Sequence, residues 1–272
     1  MISTIKAIFL GIVQGATEFL PVSSSGHLVL FQNLLGFKDP ELLLDISLHV
    51  GTLLAVCLYF HSELEMMIKE SWTFVVELLR GRKKIRQLEE NPHASFALWV
   101  LVGTFPTALI GIAFRGHLES LFTSVTAVGF MLLCTGSILA VSRFISKDRK
   151  RRLSVGLLVA LAVGFVQGIA IIPGISRSGT TIVCGLACGL ERTVAARFSF
   201  LLSIPAIAGA LLLQLSSERW HEIPLLPLLA GLISATLVGL LALKVLMGMV
   251  SRGNLYYFAP YCWGVGLLAL LL

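Results

Sequence analysis

The sequence predicts an all-α polytopic membrane protein with six transmembrane helices and two re-entrant helical hairpins in an inverted-topology repeat. Two observations carry this prediction: an apolar composition, and two matched apolar segments that each break at a proline. Of the 272 residues, 56% are hydrophobic and 13% are charged, and the mean hydropathy is +0.90, far above that of soluble domains. Several apolar stretches approach the roughly 20 residues that a helix needs to cross a bilayer. A barrel is excluded because stretches such as 225–243 are apolar on all sides.

The matched segments span residues 11–27 and 164–180. In both, a G-x-x-x-G pair (Gly11 with Gly15, Gly164 with Gly168) leads to a proline, hydroxyl residues and a further glycine. This likeness predicts an internal repeat within a single membrane domain at 1–272, with a first half at 1–144 and a second half at 154–272. Breaks inside a bilayer need protein or a polar cavity around the backbone, so paired breaks indicate a binding site. Two ordinary proline-kinked helices are the alternative.

The basic residues predict an orientation. With re-entrant hairpins at 1–36 and 154–190, the six crossings fall at about 42–60, 95–114, 125–144, 198–215, 224–247 and 255–272. An N-terminus on the outer side puts sixteen of the 21 Lys and Arg residues in the cytoplasm, and Arg177 belongs to neither side. The four outer residues are Lys6, Lys38, Arg115 and Arg219. The hairpins then enter from opposite sides, and we expect their tips to meet near mid-membrane. Residues 63–80 are expected to form a helix along the cytoplasmic interface.

Charge and cysteine content argue against other classes of protein. The net charge of +6 is concentrated in short loops, which topology explains better than nucleic-acid binding. The five cysteines lie in or at the ends of apolar segments, so no disulfide framework is predicted, and Cys184 with Cys188 lack further ligands for zinc. Residues 2–20 have the length of a signal peptide. Because Gln14 and Glu18 lie in this segment and no A-x-A-like site follows, we expect it to belong to the mature fold.

Ionisable residues inside apolar segments mark the candidate site. Such a group costs about 2.5–3.5 kcal/mol at the bilayer centre on insertion scales, so each needs a reason. Glu18 and Gln14 are four residues apart and share a helix face, and a hydrogen bond that serves helix packing is the alternative for this pair. A second short helix is expected to begin directly afterwards, and helix N-termini bind phosphate. Its first residues supply hydroxyls and an imidazole: Ser23, Ser24, Ser25 and His27.

The second half repeats this design with an arginine. After Pro173 come Ser176, Arg177, Ser178 and Thr181. A guanidinium can bind phosphate oxygens through two parallel hydrogen bonds. Together with the carboxylate and imidazole of the first half, these groups make a site for a phosphate ester, which a metal ion could bridge.

A further polar pair, Asp45 and His49, lies four residues apart on the next helix. The pair either supports the site or forms a plain internal hydrogen bond.

The motifs resemble those of the undecaprenyl pyrophosphate phosphatase family, also called bacitracin resistance proteins. The first half contains E/Q-x-x-x-E and P-x-S-S-x-G-H, the second contains P-G-x-S-R-S-G-x-T, and the likeness covers nearly the whole chain. The resemblance implies hydrolysis of undecaprenyl diphosphate to undecaprenyl phosphate and inorganic phosphate, which recycles the lipid carrier for peptidoglycan synthesis. It further implies a divalent metal, Mg²⁺ or Ca²⁺, and a site that opens to the outer, periplasmic face of the bacterial cytoplasmic (inner) membrane.

The resemblance also implies roles, position by position. Glu18 would hold the metal or orient the nucleophile, with support from the amide oxygen of Gln14. Because Gln14 stands where some relatives have Glu, a mechanism that needs two carboxylates is in question. Ser24 is the expected nucleophile, with His27 as general base or alternative nucleophile and with water as the competing attacking group. Arg177 would stabilise the transferring phosphoryl group. The expected phosphate-binding residues are Ser23, Ser25, Ser176, Ser178 and Thr181.

Two other functions stay open from the sequence. One is an inverted-repeat secondary transporter, an anion channel or a lipid-phosphate flippase, although transport alone does not require hydroxyls beside Glu18 and His27. The other is a phosphatase for water-soluble diphosphates. The expected partners are a polyprenyl diphosphate and membrane lipid, with no nucleic acid. The oligomeric state is open, and a homo-oligomer is one alternative.

Overall fold

The described part of the chain is helical, as the sequence predicts. The computed structural model describes residues 3–37, 42–114, 116, 121, 124–145, 152–214 and 224–271. The α-helices in these ranges are α1 (Thr4–Phe19), α2 (Ser24–Leu34), α3 (Leu42–Tyr59), α4 (His61–Leu79), α5 (Pro92–Ala113), α6 (Val125–Val141), α7 (Leu157–Ile169), α8 (Arg177–Ala187), α9 (Arg192–Gln214), α10 (Leu225–Arg252) and α11 (Ala259–Leu271). Short 3₁₀ turns lie at Ile85–Glu90, Ser142–Phe144 and Leu255–Phe258. Within these ranges no β-strand occurs, apart from one isolated bridge between Arg152 and Leu190.

Among the residues that the structure describes, four segments are long and apolar enough to cross a membrane. They are Pro92–Ala113, Val125–Phe144, Arg192–Leu212 and Leu225–Arg252. A fifth arises if α3 and α4, which are bent by 74° at their junction, count as one span. The sixth predicted crossing corresponds to the shorter apolar helix Leu255–Leu271. The prediction of a helical, multi-pass membrane protein is therefore confirmed at this level.

Large apolar side chains cover the outside of the helices. Phe105 on α5, Leu158 on α7 and Leu241 on α10 are each about two thirds exposed or more. Soluble monomers rarely expose large contiguous apolar patches, whereas a lipid bilayer solvates them. Of the residues assigned to the outer side, Lys38, Arg115 and Arg219 lie outside the described residues, as does most of the basic run at 147–152.

Both matched segments are broken into two short helices, as predicted. Helix α1 ends at Phe19 and α2 begins at Ser24, while α7 ends at Ile169 and α8 begins at Arg177. Leu20 has extended backbone angles (φ −61°, ψ 142°), which the following Pro21 favours because the proline ring disfavours a helical residue before it. The apolar ring of Phe19 packs edge-on against Phe200 of α9, with centroids 5.8 Å apart. This contact fixes the end of α1 against the second half of the chain.

Glycines let the first helix of each half approach the backbone of the other half. Helix α1 packs mainly on α10, and α7 packs mainly on α5. A Cβ atom at Gly15 would lie 2.6 Å from the carbonyl oxygen of Ala235, and one at Gly164 would lie 1.9 Å from that of Gly103. The G-x-x-x-G spacings therefore mark real close packing. The two halves are interleaved rather than side by side.

This packing predicts a strong effect of one added methyl group. Gly164→Ala should lower the midpoint of thermal unfolding of the purified protein by several degrees, because the new methyl overlaps the Gly103 carbonyl and forces α7 away from α5; overpacking of this kind costs about 1–3 kcal/mol. The matched control is Gly248→Ala on α10, where an added Cβ meets nothing within 4 Å. Equal melting midpoints for the two variants would contradict the close approach of α5 and α7.

Candidate active site

The tips of the two broken segments lie against each other. The backbone N–H of Gly174 donates a hydrogen bond to Ser23 Oγ over 3.1 Å. A Cβ atom at Gly26 would lie 3.2 Å from Gly174 Cα, and one at Gly179 would lie 2.9 Å from Pro21 Cβ. The expectation that the tips meet is thus confirmed. Residues from both halves form one polar region inside the protein.

Ser23 joins the tips through an unusual backbone conformation. Its φ is 68°, and within the described ranges it is the only residue other than glycine with a positive φ. Such a conformation costs about 1–3 kcal/mol and is concentrated at functional sites. Ser23 Oγ also accepts from the N–H of Gly26 (3.3 Å) and so caps α2. Opposite it, Gly174 has φ +95°, and a Cβ there would lie 2.6 Å from the Val128 carbonyl oxygen, so this turn requires glycine.

An ion pair between the halves lies at the centre of this region. Arg177 Nη2 donates to Glu18 Oε1 over 2.6 Å. Ser24 Oγ donates to Glu18 Oε2 over 2.5 Å, and Gln14 Nε2 donates to the same oxygen over 3.0 Å. Glu18 is 9% exposed and Gln14 is fully buried. The predicted polar face of α1 is confirmed, and the carboxylate holds both the serine hydroxyl and the guanidinium in place.

Two polar atoms beside this ion pair have no hydrogen-bond partner among the described residues. They are Arg177 Nη1 and Gln14 Oε1, and both are buried. Buried polar atoms in native proteins nearly always have partners, so each of these needs an explanation. A cationic N–H donor suits a phosphate oxygen, and an amide oxygen beside a carboxylate suits Mg²⁺ or Ca²⁺. The unpaired atoms therefore fit a phosphorylated ligand and a divalent cation.

The imidazole of His27 points away from the serine that we expect to attack. His27 Nδ1 lies 2.8 Å from the carbonyl oxygen of Ser23, and Nε2 lies 2.8 Å from Tyr261 Oη. No hydrogen bond joins His27 to Ser24 in the part of the chain that the structure describes. The hydroxyl of Ser24 is directed at Glu18 instead. Sequence reasoning missed Tyr261, because a tyrosine inside an apolar segment belongs to no motif.

Two of the predicted phosphate-binding hydroxyls in the second half already have protein partners. Ser176 Oγ accepts from the N–H of Gly179 (3.1 Å) and caps α8. Thr181 is fully buried; its Oγ1 donates to the Arg177 carbonyl (2.7 Å) and lies 2.5 Å from Ser199 Oγ. Thr181 therefore ties α8 to α9. Its predicted role as a phosphate ligand would require this contact to open.

The remaining hydroxyls line the junction of the tips. Ser178 Oγ donates to the carbonyl of Leu20 across the two halves (3.4 Å), and Ser25 Oγ lies 3.3 Å from Ser23 Oγ. These contacts place both serines at the helix N-termini near the ion pair. Whether they bind phosphate stays a prediction.

Asp45 and His49 form contacts of their own beside the site. Asp45 Oδ1 accepts from Gln32 Nε2 over 2.6 Å, and His49 Nδ1 lies 2.7 Å from the Asp45 carbonyl oxygen. No group of three or more His, Cys, Asp or Glu residues suited to a metal occurs among the described residues. A cation at Glu18 would therefore share few protein ligands and take others from substrate oxygens, a mode typical of Mg²⁺.

Comparisons with known proteins find relatives over the whole length of the chain. The family model for the bacitracin resistance protein BacA matches residues 7–268. The chain is 47% identical over 265 residues to the undecaprenyl-diphosphatase of Desulfatibacillum aliphaticivorans, which covers 96% of either chain. It is 45% identical over 269 residues to that of Desulforapulum autotrophicum, covering 98% of this chain and 97% of the relative. The corresponding protein of Methanosphaera stadtmanae is 41% identical over 273 residues, covering 100% and 99%.

Proposed function

The chain belongs to the BacA family of bacitracin resistance proteins, and we propose that it hydrolyses undecaprenyl diphosphate to undecaprenyl phosphate and inorganic phosphate. This reaction recycles the lipid carrier of cell-wall synthesis. Relatives with the name undecaprenyl-diphosphatase match this chain over nearly their full length. The observation that carries the proposal is the buried Glu18–Arg177 ion pair with Ser24 attached to it. Phosphoryl transfer needs a nucleophile, a proton acceptor and a cationic donor in one place.

Ser24 is the proposed nucleophile, with Glu18 as its base. The hydroxyl already donates to Glu18 Oε2, so the carboxylate can take the proton as Ser24 Oγ attacks the terminal phosphorus. The Oγ–P bond forms, the anhydride P–O bond breaks, and undecaprenyl phosphate leaves with the electron pair. Water then hydrolyses the serine phosphate, which releases inorganic phosphate and restores the hydroxyl. Direct attack by water or by His27 is the alternative; the contacts of both His27 nitrogens disfavour the latter.

Arg177 is proposed to bind the transferring phosphoryl group. Its Nη2 stays paired with Glu18, which orients the guanidinium, while the unpaired Nη1 can donate to a phosphate oxygen. The N-termini of α2 and α8 add backbone N–H groups. The proposed further phosphate ligands are Ser23, Ser25, Ser176, Ser178 and Thr181.

A divalent cation, Mg²⁺ or Ca²⁺, is proposed to bind next to Glu18 and Gln14. The unpaired Gln14 Oε1 and the neighbouring carboxylate are the oxygen ligands that such cations prefer. When bound, the cation would neutralise part of the negative charge of the diphosphate. Because the chain supplies one carboxylate and one amide here, substrate oxygens would complete the coordination.

We propose that six crossings and two re-entrant hairpins place this site in the cytoplasmic membrane, open to the outer face. The broken helix pairs and the reciprocal packing of α1 on α10 and of α7 on α5 support an inverted repeat with halves at 1–144 and 154–272. The 74° bend between α3 and α4 would turn α4 into the cytoplasmic interface, where Arg80 and the basic residues after it follow the positive-inside rule.

The orientation can be tested by labelling single cysteines in a variant without the five native cysteines. Asn33 at the end of α2 and Arg82 after α4 are both exposed. A membrane-impermeant maleimide should label Asn33→Cys in intact cells and Arg82→Cys only after the membrane is permeabilised. If Arg82→Cys is labelled to the same extent in intact cells as in permeabilised cells, the proposed orientation is wrong.

The reaction can be tested by phosphate release from detergent-solubilised undecaprenyl diphosphate. Ser24→Ala and Arg177→Ala should each lower kcat by about 10²-fold or more, because they remove the attacking group and a donor to the developing charge. The control Ser251→Ala, at the exposed end of α10, should keep wild-type activity. Mass spectrometry of the quenched reaction should find phosphate on Ser24. Wild-type kcat in Ser24→Ala would point to water or His27 as the attacking group.

Three further arms of the same assay separate the alternatives. EDTA should abolish phosphate release and Mg²⁺ or Ca²⁺ should restore it; a rate unaffected by EDTA would remove the cation from the proposal. Inorganic pyrophosphate should react far more slowly than the lipid, and equal rates would favour a phosphatase for soluble diphosphates. If the purified protein binds the lipid but releases no phosphate with any cation, the proposed hydrolysis is wrong, and the transporter or flippase alternative is favoured.

A further inference from the structure

We propose that Tyr261 is a positioning residue that fixes the tautomer and orientation of His27, and through it the backbone that carries Ser24. Tyr261 lies on α11, at the end of the chain, and its hydroxyl contacts His27 across 234 residues of sequence. This role rests on the proposed function, in which Ser24 attacks the substrate. Like the Glu18–Arg177 pair, this contact brings a side chain of the second half to the site of the first.

The hydrogen bonds of His27 determine its tautomer. The partner of Nδ1 is the Ser23 carbonyl oxygen, at 2.8 Å, and a carbonyl can only accept. Nδ1 therefore carries the proton, and Nε2 of the neutral ring has a lone pair. The Tyr261 hydroxyl must donate to this lone pair over its 2.8 Å. The chain of donors runs from Tyr261 to His27 and on to the Ser23 carbonyl.

This series of hydrogen bonds ends at Ser23, whose backbone is the strained part of the site. Ser23 has φ 68°, and its carbonyl accepts both the ring N–H and the backbone N–H of His27 (3.2 Å). Ser24 is the next residue in sequence. If the imidazole rotated, the Ser23 carbonyl would lose the ring N–H and keep only the longer bond from the backbone N–H of His27. The backbone that carries the proposed nucleophile would then be held less firmly. Holding the imidazole thus holds the backbone on which Ser24 depends.

The surroundings make Tyr261 difficult to replace. The rings of His27 and Tyr261 are nearly parallel, with an angle of 4° and centroids 5.7 Å apart. His27 is 3% exposed whereas Tyr261 is 48% exposed, so the tyrosine lies on the outer side of the imidazole and covers it. The neighbouring Cys262 is fully buried, and its Sγ lies 3.6 Å from the carbonyl oxygen of Pro21. Helix α11 is therefore packed against the first tip, which fixes where the Tyr261 hydroxyl can lie.

A double-mutant cycle tests this role. Tyr261→Phe should lower kcat for phosphate release by about tenfold with KM changed less than about twofold, since small misplacements of a reacting group lower the rate strongly. In the His27→Gln background, the same substitution should cause no further loss, because Tyr261 acts only through His27. The matched control is Tyr59→Phe; this tyrosine packs on Phe60 at the end of α3, and its replacement should leave kcat unchanged.

The outcomes separate this role from the proposed function. Suppose that Ser24→Ala is inactive but Tyr261→Phe has the wild-type kcat, or that Tyr261→Phe lowers kcat as much in the His27→Gln background as in the wild type. Either result would show that the positioning role is wrong, while the proposed function stands. If Ser24→Ala is fully active, the proposed mechanism fails first.

An independent measurement does not depend on activity. In the NMR spectrum of protein labelled with ¹⁵N-histidine, the signal that is missing from His27→Gln is assigned to His27. This signal should show an Nδ1–H tautomer, and the ¹⁵N chemical shift of Nε2 should change in Tyr261→Phe. An unchanged Nε2 shift in a Tyr261→Phe variant with the wild-type melting midpoint would overturn the proposal.

Discussion

The ion pair between Glu18 and Arg177 is the constraint on which the site depends. Neither charge can be buried among apolar helices without a partner of opposite charge. The partners come from the end of one broken helix and the start of another, 159 residues apart in sequence, so pairing them requires the two tips to meet. The glycines at the tips and at the contacts of α1 and α7 allow that approach. Packing, chain breaks and charge therefore specify the same arrangement.

The ion pair also leaves hydrogen-bonding capacity unused. Arg177 Nη1 and Gln14 Oε1 are buried and have no hydrogen-bond partner within the described ranges. A protein selected for stability alone would satisfy or remove such atoms, since each costs about 1–3 kcal/mol. Here they lie beside Ser24, whose hydroxyl is held by the same carboxylate. A diphosphate head group would supply a partner for the arginine nitrogen, and a bound cation one for the amide oxygen. The proposed reaction therefore explains why the protein keeps two buried polar atoms that lower its stability.

Much of this could be predicted from the sequence because it leaves local signals. Hydropathy gave the helical class, Pro21 and Pro173 gave the breaks, and charges in apolar segments marked Glu18 and Arg177. The contact of Tyr261 with His27 and that of Thr181 with Ser199 were not predictable, since both depend on how distant helices pack. The positive φ of Ser23 was also hidden, because serine ordinarily avoids that region. The orientation of the His27 ring was not predictable either, because it depends on the contact with Tyr261 and on the backbone of Ser23.

The central claim is that Glu18 and Arg177 form one buried pair across the two halves. It is tested most directly by the thermal unfolding of purified Glu18→Gln, Arg177→Met and the double variant. Removing one partner of a buried pair costs about 3–5 kcal/mol, because the other charge stays buried alone, whereas removing both is far less costly. Each single variant should therefore melt well below the wild type, and the double variant should melt above both. Simple addition of the two losses would mean that the charges do not meet.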